Sequence, residues 1–296
     1  MQVISKSVLA FDKDNKPAAT SQPGEILTFK PMDCFSNQIQ EDGTTVDKID
    51  LSKCNPAAGP VFIDGAEPGD VLAVDILNID VVDHGVAVVF PGTGPIEETC
   101  EHRTRIIPIK DKQAHFKDIT WPIDPMIGVI GTAPADDPII CGHAFSCGGN
   151  MDSKKIRKGS TVYLPVHVDG ALLQMGDLHA TMGDGEIIGT GIEIAGEILV
   201  RVRLIKSFEL NWPVVEDKEN WYVNACDHDI ALAIKYSLLE MQRLISDAYD
   251  WDATDTAMYL SLQGNCEINQ SCLGPRTINV ARAAIPKNSA KPSLIK

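Results

Sequence analysis

Apolar and polar residues alternate in short runs over most of the first 210 positions. Val71–Val81 (VLAVDILNIDV), Ser160–Ala180 and Glu197–Phe208 show period-two patterning and are rich in β-branched residues. That pattern predicts strands. Pro23-Gly24, Pro68-Gly69-Asp70, Pro91-Gly92, Lys158-Gly159 and Gly183-Asp184-Gly185 separate the runs as turns. Many short strands joined by Gly and Pro turns predict a β-barrel or sandwich. The period then changes. Ile230, Ala233, Ile234, Leu238, Met241, Leu244 and Ile245 recur at helical spacing, with Asp227 or Asp229 able to cap the start. A second helix is predicted from Asp255 to Leu262, stopping at Gly264. The C-terminal INVARAAIPK reads as a returning strand. The fold class expected is mainly β (α+β), a barrel- or sandwich-like sheet structure with C-terminal helices packed on it. Residues 1–215 form the β-rich catalytic region and 216–296 the helical segment with its returning strand, within one integrated fold.

Composition narrows the partners. The 296 residues carry 26 Lys+Arg against 41 Asp+Glu, a net charge of −15. A field of that sign repels phosphate backbones and anionic lipid, so neither nucleic acid nor membrane is expected as a partner. No run of about 18 apolar residues suggests a membrane span. The N-terminal MQVISKSVLAFDKDNKP lacks the apolar stretch of a signal peptide and reads as a first strand. The eight cysteines form no Cys-x-x-Cys pair. Free thiols in a reducing cytoplasm explain them most simply.

The candidate chemistry gathers between Gly142 and Glu193. On a strand, Asp177 and His179 stand two residues apart and share a face. A hairpin centred on Asp184 places Gly189 opposite His179 and Gly191 opposite Asp177. It brings Glu193 diagonal to Asp177 on that face. Glycines opposite both side chains leave room above them. A carboxylate and an imidazole side by side, with Glu186 and Glu193 nearby, suit a divalent cation and a general base. Asp33, at the end of a strand running from Glu25 to Met32, and His84, beside Gly85, are further candidate ligands. Gly148-Gly149-Asn150-Met151-Asp152 forms a turn whose N–H groups and polar side chains suit a substrate amide or its oxyanion. An alternative chemistry uses Cys147 as nucleophile with His143 as base. A non-catalytic β protein that binds calcium or another ligand is the third possibility.

The combination resembles the acetamidase/formamidase family. The matching stretches are Asn55–Pro60, Gly65–Asp70, Ile127–Gly131, Gly148–Asp152, Leu164–Val166 and Gly170–Glu193, with Gly-Asp-Leu-His-Ala followed by Gly-Asp-Gly-Glu as the most specific. The resemblance implies hydrolysis of short amides to a carboxylate and ammonia, a β-rich fold, and a homo-oligomer. It also implies a divalent metal, zinc by its mixed ligand set, held by Asp33, His84, Asp177 and His179, with room for a second ion such as calcium. Glu193 or Glu186 then acts as general base. Gly148, Gly149, Asn150 and Asp152 bind the substrate.

Overall fold

The computed structural model describes residues 2–272 and 278–296. Among them, two large sheets pack face to face and helices cover the outer side of one. The first sheet has nine strands, in the order Gln2–Ile4, Ile26–Phe29, Gly196–Ile205, Val71–Val81, Thr161–Pro165, Val214–Glu216, Asn220–Asp227, Asn279–Pro286 and Asn265–Gln270. Strands from both expected segments of the chain therefore lie in one sheet. Val71–Val81 explains its own composition. Leu72, Val74 and Ile76 enter the core between the sheets, while Val71 and Ala73 join a second core under the helices. The Val71–Ile76 half is covered on both faces and is apolar but for Asp75, which Arg201 and Arg203 pair.

Helix α1 spans Ile230–Tyr249 and helix α2 spans Ala253–Gln263. The Asp229 carboxylate caps α1 by accepting from the Ala231 N–H. Met241, Leu244 and Ile245 then pack on Trp221, Val223, Ala283 and Ile285 of the sheet. Helix α2 starts earlier than its apolar pattern suggests, because Asp252 accepts from the N–H groups of Thr254 and Asp255 and so sets the first turn. It ends at Gly264 as expected. The mainly β fold with C-terminal helices packed on the sheet is the fold observed. No described helix is long and apolar enough to cross a membrane.

The second sheet carries the chemistry. Its central strand, Leu173–His179, is buried throughout. Met126–Gly131 pairs along one side, and beyond it lie Gly148–Asn150 and Ala144–Phe145. On the other side Ala57–Ile63 pairs with the first half of the strand and Glu193–Ile194 with its end. His84–Val89 and Arg103–Lys110 follow outward.

Candidate functional site

The end of strand Leu173–His179 is where the acidic residues converge. Asp177 takes a left-handed backbone conformation, φ +55°, and the facing Gly128 falls out of the regular pairing there. His179 sits directly opposite Glu193. This corrects the expected hairpin, in which Gly189 faced His179 and Glu193 lay diagonal to Asp177. The partner of His179 is four residues further along, and because four is even Glu193 keeps the same face. The reason for the slide lies outside the hairpin. The Gly183–Gly185 tip is drawn to the C-terminal strand: the Gly185 N–H donates to Asn269 O, the Ser271 N–H donates to Gly185 O, and the buried Arg282 holds Asp184 at 2.8 Å. The residues expected to close a tight turn are instead extended into a folded loop that carries Glu186.

Asp152, Asp177, His179, Glu186 and Glu193 are thereby brought together, all buried. His179 Nε2 lies 3.0 Å from Glu193 Oε2, 3.8 Å from Glu186 Oε1 and 3.9 Å from Asp177 Oδ1. Two sets of potential ligand atoms each lie within 4.8 Å of one another: Asp152, His179 and Glu186, and Cys34, Asp177 and Glu193. His179 Nε2, Glu193 Oε2 and Asp152 Oδ1 lack hydrogen-bonding partners although fully buried. The 3.0 Å approach of the first two is close enough for Coulomb attraction but lacks the direction of a hydrogen bond. Orphaned donors and acceptors are costly in a dry interior. Positive charge within this cluster would satisfy these atoms, so the residues fit a metal.

The surroundings reinforce that fit. The other ring nitrogen, His179 Nδ1, faces Met126 Sδ at 3.0 Å. A thioether accepts only weakly, and the contact suits the tautomer with hydrogen on Nδ1, leaving the Nε2 lone pair toward the cluster. Gln270 donates through its amide nitrogen to Asp152 Oδ2 at 2.6 Å and to Glu186 Oε2 at 3.0 Å, joining the two carboxylates. Gly128 leaves the space in which Asp177 and Asp152 meet. A Cβ there would sit 2.5 Å from Asp152 Oδ1 and inside contact distance of Asp177 Oδ2.

Without a cation, Asp152, Asp177, Glu186 and His179 hold protons tightly. Burial, then the charges of Glu193 and Glu186, raise the Asp177 carboxyl well above the usual range. Burial and the charges of Glu186 and Asp177 do the same to Asp152, and burial raises Glu186. For His179, burial opposes the charged form, but Glu193, Asp177 and Glu186 outweigh it and lift its pKa. The Cys34 thiol is raised by burial and by Glu193, Asp177 and Asp33.

These groups border a cavity of about 240 Å³. Asn150, Asp177, Glu186, Glu193 and Gln270 form polar parts of its wall, and Phe35, Leu51 and Phe90 apolar ones. The Asn150 side-chain oxygen is buried and unpartnered.

Other expected site residues are placed differently. Asp33 is buried beside the cluster but outside both ligand sets. Its Oδ1 accepts from the N–H groups of Phe35 and Asn37, and burial together with Glu193 brings its carboxyl to about 6. His84 lies at the exposed start of its strand, Nδ1 2.7 Å from Asp83 Oδ1, outside both ligand sets but near enough to act electrostatically on Asp33. Gly148 and Gly149 are paired on both sides, with Met126–Gly131 and Ala144–Phe145, so their backbone does not face the cavity. A Cβ on either would strike the Ile130 or His143 carbonyl. Close strand approach, not oxyanion binding, accounts for both glycines. Asp152 sits among the possible metal ligands rather than on the substrate wall. The Cys147–His143 dyad does not form. Cys147 Sγ lies 3.1 Å from His167 Nδ1, burial pushes its thiol up to about 11, and it does not line the cavity. Sequence patterning missed Cys34, Met126 and Gln270. Only Cys34, adjacent to Asp33 at a strand end, had a nearby signal.

The model of the Acetamidase/Formamidase family matches residues 10–140 and 139–220. The solved acetamidase of Bacillus halodurans is 36% identical, with a TM-score of 0.92 over 96% of this chain and 97% of that one. A recombinant protein of Thermoanaerobacter tengcongensis, described as a predicted acetamidase/formamidase, is 39% identical, with the same TM-score over 96% and 95% of the two chains. The acetamidase of Mycolicibacterium smegmatis is 28% identical over 261 residues, covering 65% of this chain and 64% of that protein. The chain thus spans less than two thirds of the length of that curated relative.

Proposed function

The chain belongs to the acetamidase/formamidase family, and from that membership we propose that it hydrolyses short linear amides, formamide and acetamide among them, to a carboxylate and ammonia with a divalent cation. One observation carries this reading: the orphaned His179 Nε2, Glu193 Oε2 and Asp152 Oδ1 meet in the buried cluster beside a cavity of about 240 Å³. Asp152, Asp177 and His179 would hold the cation, and zinc suits their mixed oxygen and nitrogen donors. When bound, it supplies positive charge that polarises the amide carbonyl and acidifies water.

The chain's own residues supply the remaining steps. Asn150 accepts the amide N–H through its unpartnered oxygen and so orients the substrate. Phe35, Leu51 and Phe90 receive the acyl group and limit its length. Glu186 or Glu193 takes a proton from the attacking water as the C–O bond forms. The same carboxyl returns the proton to nitrogen as the C–N bond breaks. We place the protein in the cytoplasm as a homo-oligomer. Free thiols at Cys34, Cys54, Cys100, Cys141, Cys147, Cys226 and Cys266 suit that reducing compartment.

The test is ammonia release from formamide, acetamide and propionamide, paired with elemental analysis. Dialysis against a chelator should abolish release, and zinc should restore it. Protein that binds no metal and releases no ammonia from any of the three would overturn the proposal.

Metal-free protein should also show a particular pH dependence. Asp33, Asp152, Asp177, Glu186 and His179 all have raised pKa values in the fold. A group of this kind contributes stability that is fully present below its unfolded pKa and lost as pH rises through its folded pKa. Once the depressed carboxylates Asp75, Asp184 and Glu240 have stopped adding stability, above the range in which free carboxylates titrate, the Tm of the metal-free protein should therefore fall as pH rises further. The Asp33 share of that loss is complete somewhat above its folded value of about 6. Saturating zinc should flatten the fall, since the cation replaces the protons. A metal-free Tm that rises steadily across this range would contradict the cluster's electrostatics.

A further inference from the structure

We infer that Arg282 and Asp184 are positioning residues for the proposed amide hydrolysis: their ion pair anchors the loop that carries Glu186 and sets where its carboxylate stands against Asp152. The inference rests on that hydrolase reading and extends it to two side chains outside both ligand sets and the cavity wall. Arg282 is fully buried, which an arginine tolerates only when its charge and donors are matched. It stands on strand Asn279–Pro286, opposite Glu267 of Asn265–Gln270. Its Nε donates to Glu267 Oε2 at 2.6 Å, its Nη2 to Asp184 Oδ2 at 2.8 Å, and its Nη1 to Asn269 Oδ1. The planar fork thus ties the C-terminal strand pair to the Gly183–Gly185 tip.

What the fork holds is the site. Asn269 donates through Nδ2 to the Met151 carbonyl at 3.0 Å, directly before Asp152. Its own carbonyl accepts from the Gly185 N–H at 2.9 Å, directly before Glu186. Gln270 then bridges the Asp152 and Glu186 carboxylates. Both of those residues need support, since each takes a left-handed backbone conformation, φ +42° at Asp152 and +40° at Glu186. Residues other than glycine keep that conformation only where their surroundings over-determine it. The two arms are fastened differently. Asp152 is held by Asn269 and Gln270, whereas Glu186 hangs on a loop whose tip also depends on Asp184. Releasing Asp184 therefore displaces Glu186 and leaves Asp152 in place. Glu186 lines the cavity as a candidate proton acceptor, so its displacement slows the chemical step rather than substrate binding, which falls to Asn150 and the apolar wall.

Replacing Arg282 itself would strand both carboxylates, so the test is made on its two partners. Asp184→Asn and Glu267→Gln each take one charge from Arg282, on side chains of similar exposure, 32% and 28%. Both should lower Tm by similar amounts. Only Asp184→Asn should lower kcat, by about 10- to 100-fold, with KM nearly unchanged. Lys154→Met, which removes only the outer partner of Asp184, should keep kcat. Hydrogen exchange reads the same contrast without turnover. Backbone amides between Gly185 and Gly191 should exchange faster in Asp184→Asn and close to the parent rate in Glu267→Gln. Normal kcat in Asp184→Asn, equal kcat losses in both variants that track Tm, or parent-like exchange of the loop in Asp184→Asn would each overturn the inference and leave the hydrolase reading intact. A parent chain that releases no ammonia from any of the three amides would overturn the hydrolase reading and, with it, the catalytic role assigned to this ion pair.

Discussion

Gly128→Ala is expected to cost about 100-fold or more in kcat/KM, the scale set by an ångström-sized displacement of catalytic groups, and to strip the cation while the sheets remain folded. The added methyl has no room. It would stand 2.5 Å from Asp152 Oδ1, inside contact distance of Asp177 Oδ2, and 2.9 Å from the Asp177 carbonyl oxygen. The two carboxyl groups must part, and Asp177 cannot yield freely because its backbone is already left-handed. Gly131 on the same strand is constrained for another reason. A Cβ there would meet the backbone of Cys147 and Gly149 at 2.8 Å, so its substitution should lower Tm directly. The contrast makes the prediction specific: Gly128→Ala loses metal before it loses structure, and Gly131→Ala loses structure first. Elemental analysis, kcat/KM and thermal melts of the two variants check it. Full metal content and normal turnover in Gly128→Ala would show that the carboxylates do not need this space.

How far the sequence revealed this arrangement depended on whether the determining contacts were local. The helices were legible because a 3.6-residue apolar period and an aspartate cap are both local signals, and α1 begins at Ile230 with Asp229, one of the two candidate caps, before it. Asp177 and His179 were legible because two-residue spacing on a strand sets a shared face. Glu193 kept that face for the same reason, although its register was wrong. The register was set by Asn269, Ser271 and Arg282, 84 to 98 residues away from the turn they capture. No pattern within the hairpin encodes that pull. Gln270 was hidden for the same reason, since one polar residue on a C-terminal strand has no signature until the fold carries it to Asp152 and Glu186. The glycines illustrate an ambiguity of another kind. Gly148-Gly149 suggested anion binding, but in the sheet they permit two strands to approach. Gly128, which suggested nothing beyond family likeness, is the one that shapes the cluster. His84 had a glycine beside it and a strand behind it, yet the strand begins at the surface and presents the imidazole to Asp83.

Asp177→Asn should abolish ammonia release and at the same time leave the metal-free protein as stable as the parent, or more so, near neutral pH. The sign follows from the site's electrostatics. Burial and the charges of Glu193 and Glu186 disfavour an ionised Asp177, so its ionisation in the metal-free fold subtracts from stability. A neutral amide of the same shape removes that cost but offers a cation one negative ligand fewer. The variant should therefore melt at or above the parent without metal, and gain less than the parent when zinc is added. His179→Ala should be equally inactive for a different reason. It removes the nitrogen donor and leaves a hole beside Met126, so its metal-free Tm should fall rather than hold. Opposite movements of metal-free stability in two equally inactive variants are what a cation-binding cluster requires. If both variants melted well below the parent in the absence of metal, Asp177 would be serving the fold, and the functional assignment of this strand would have to be abandoned.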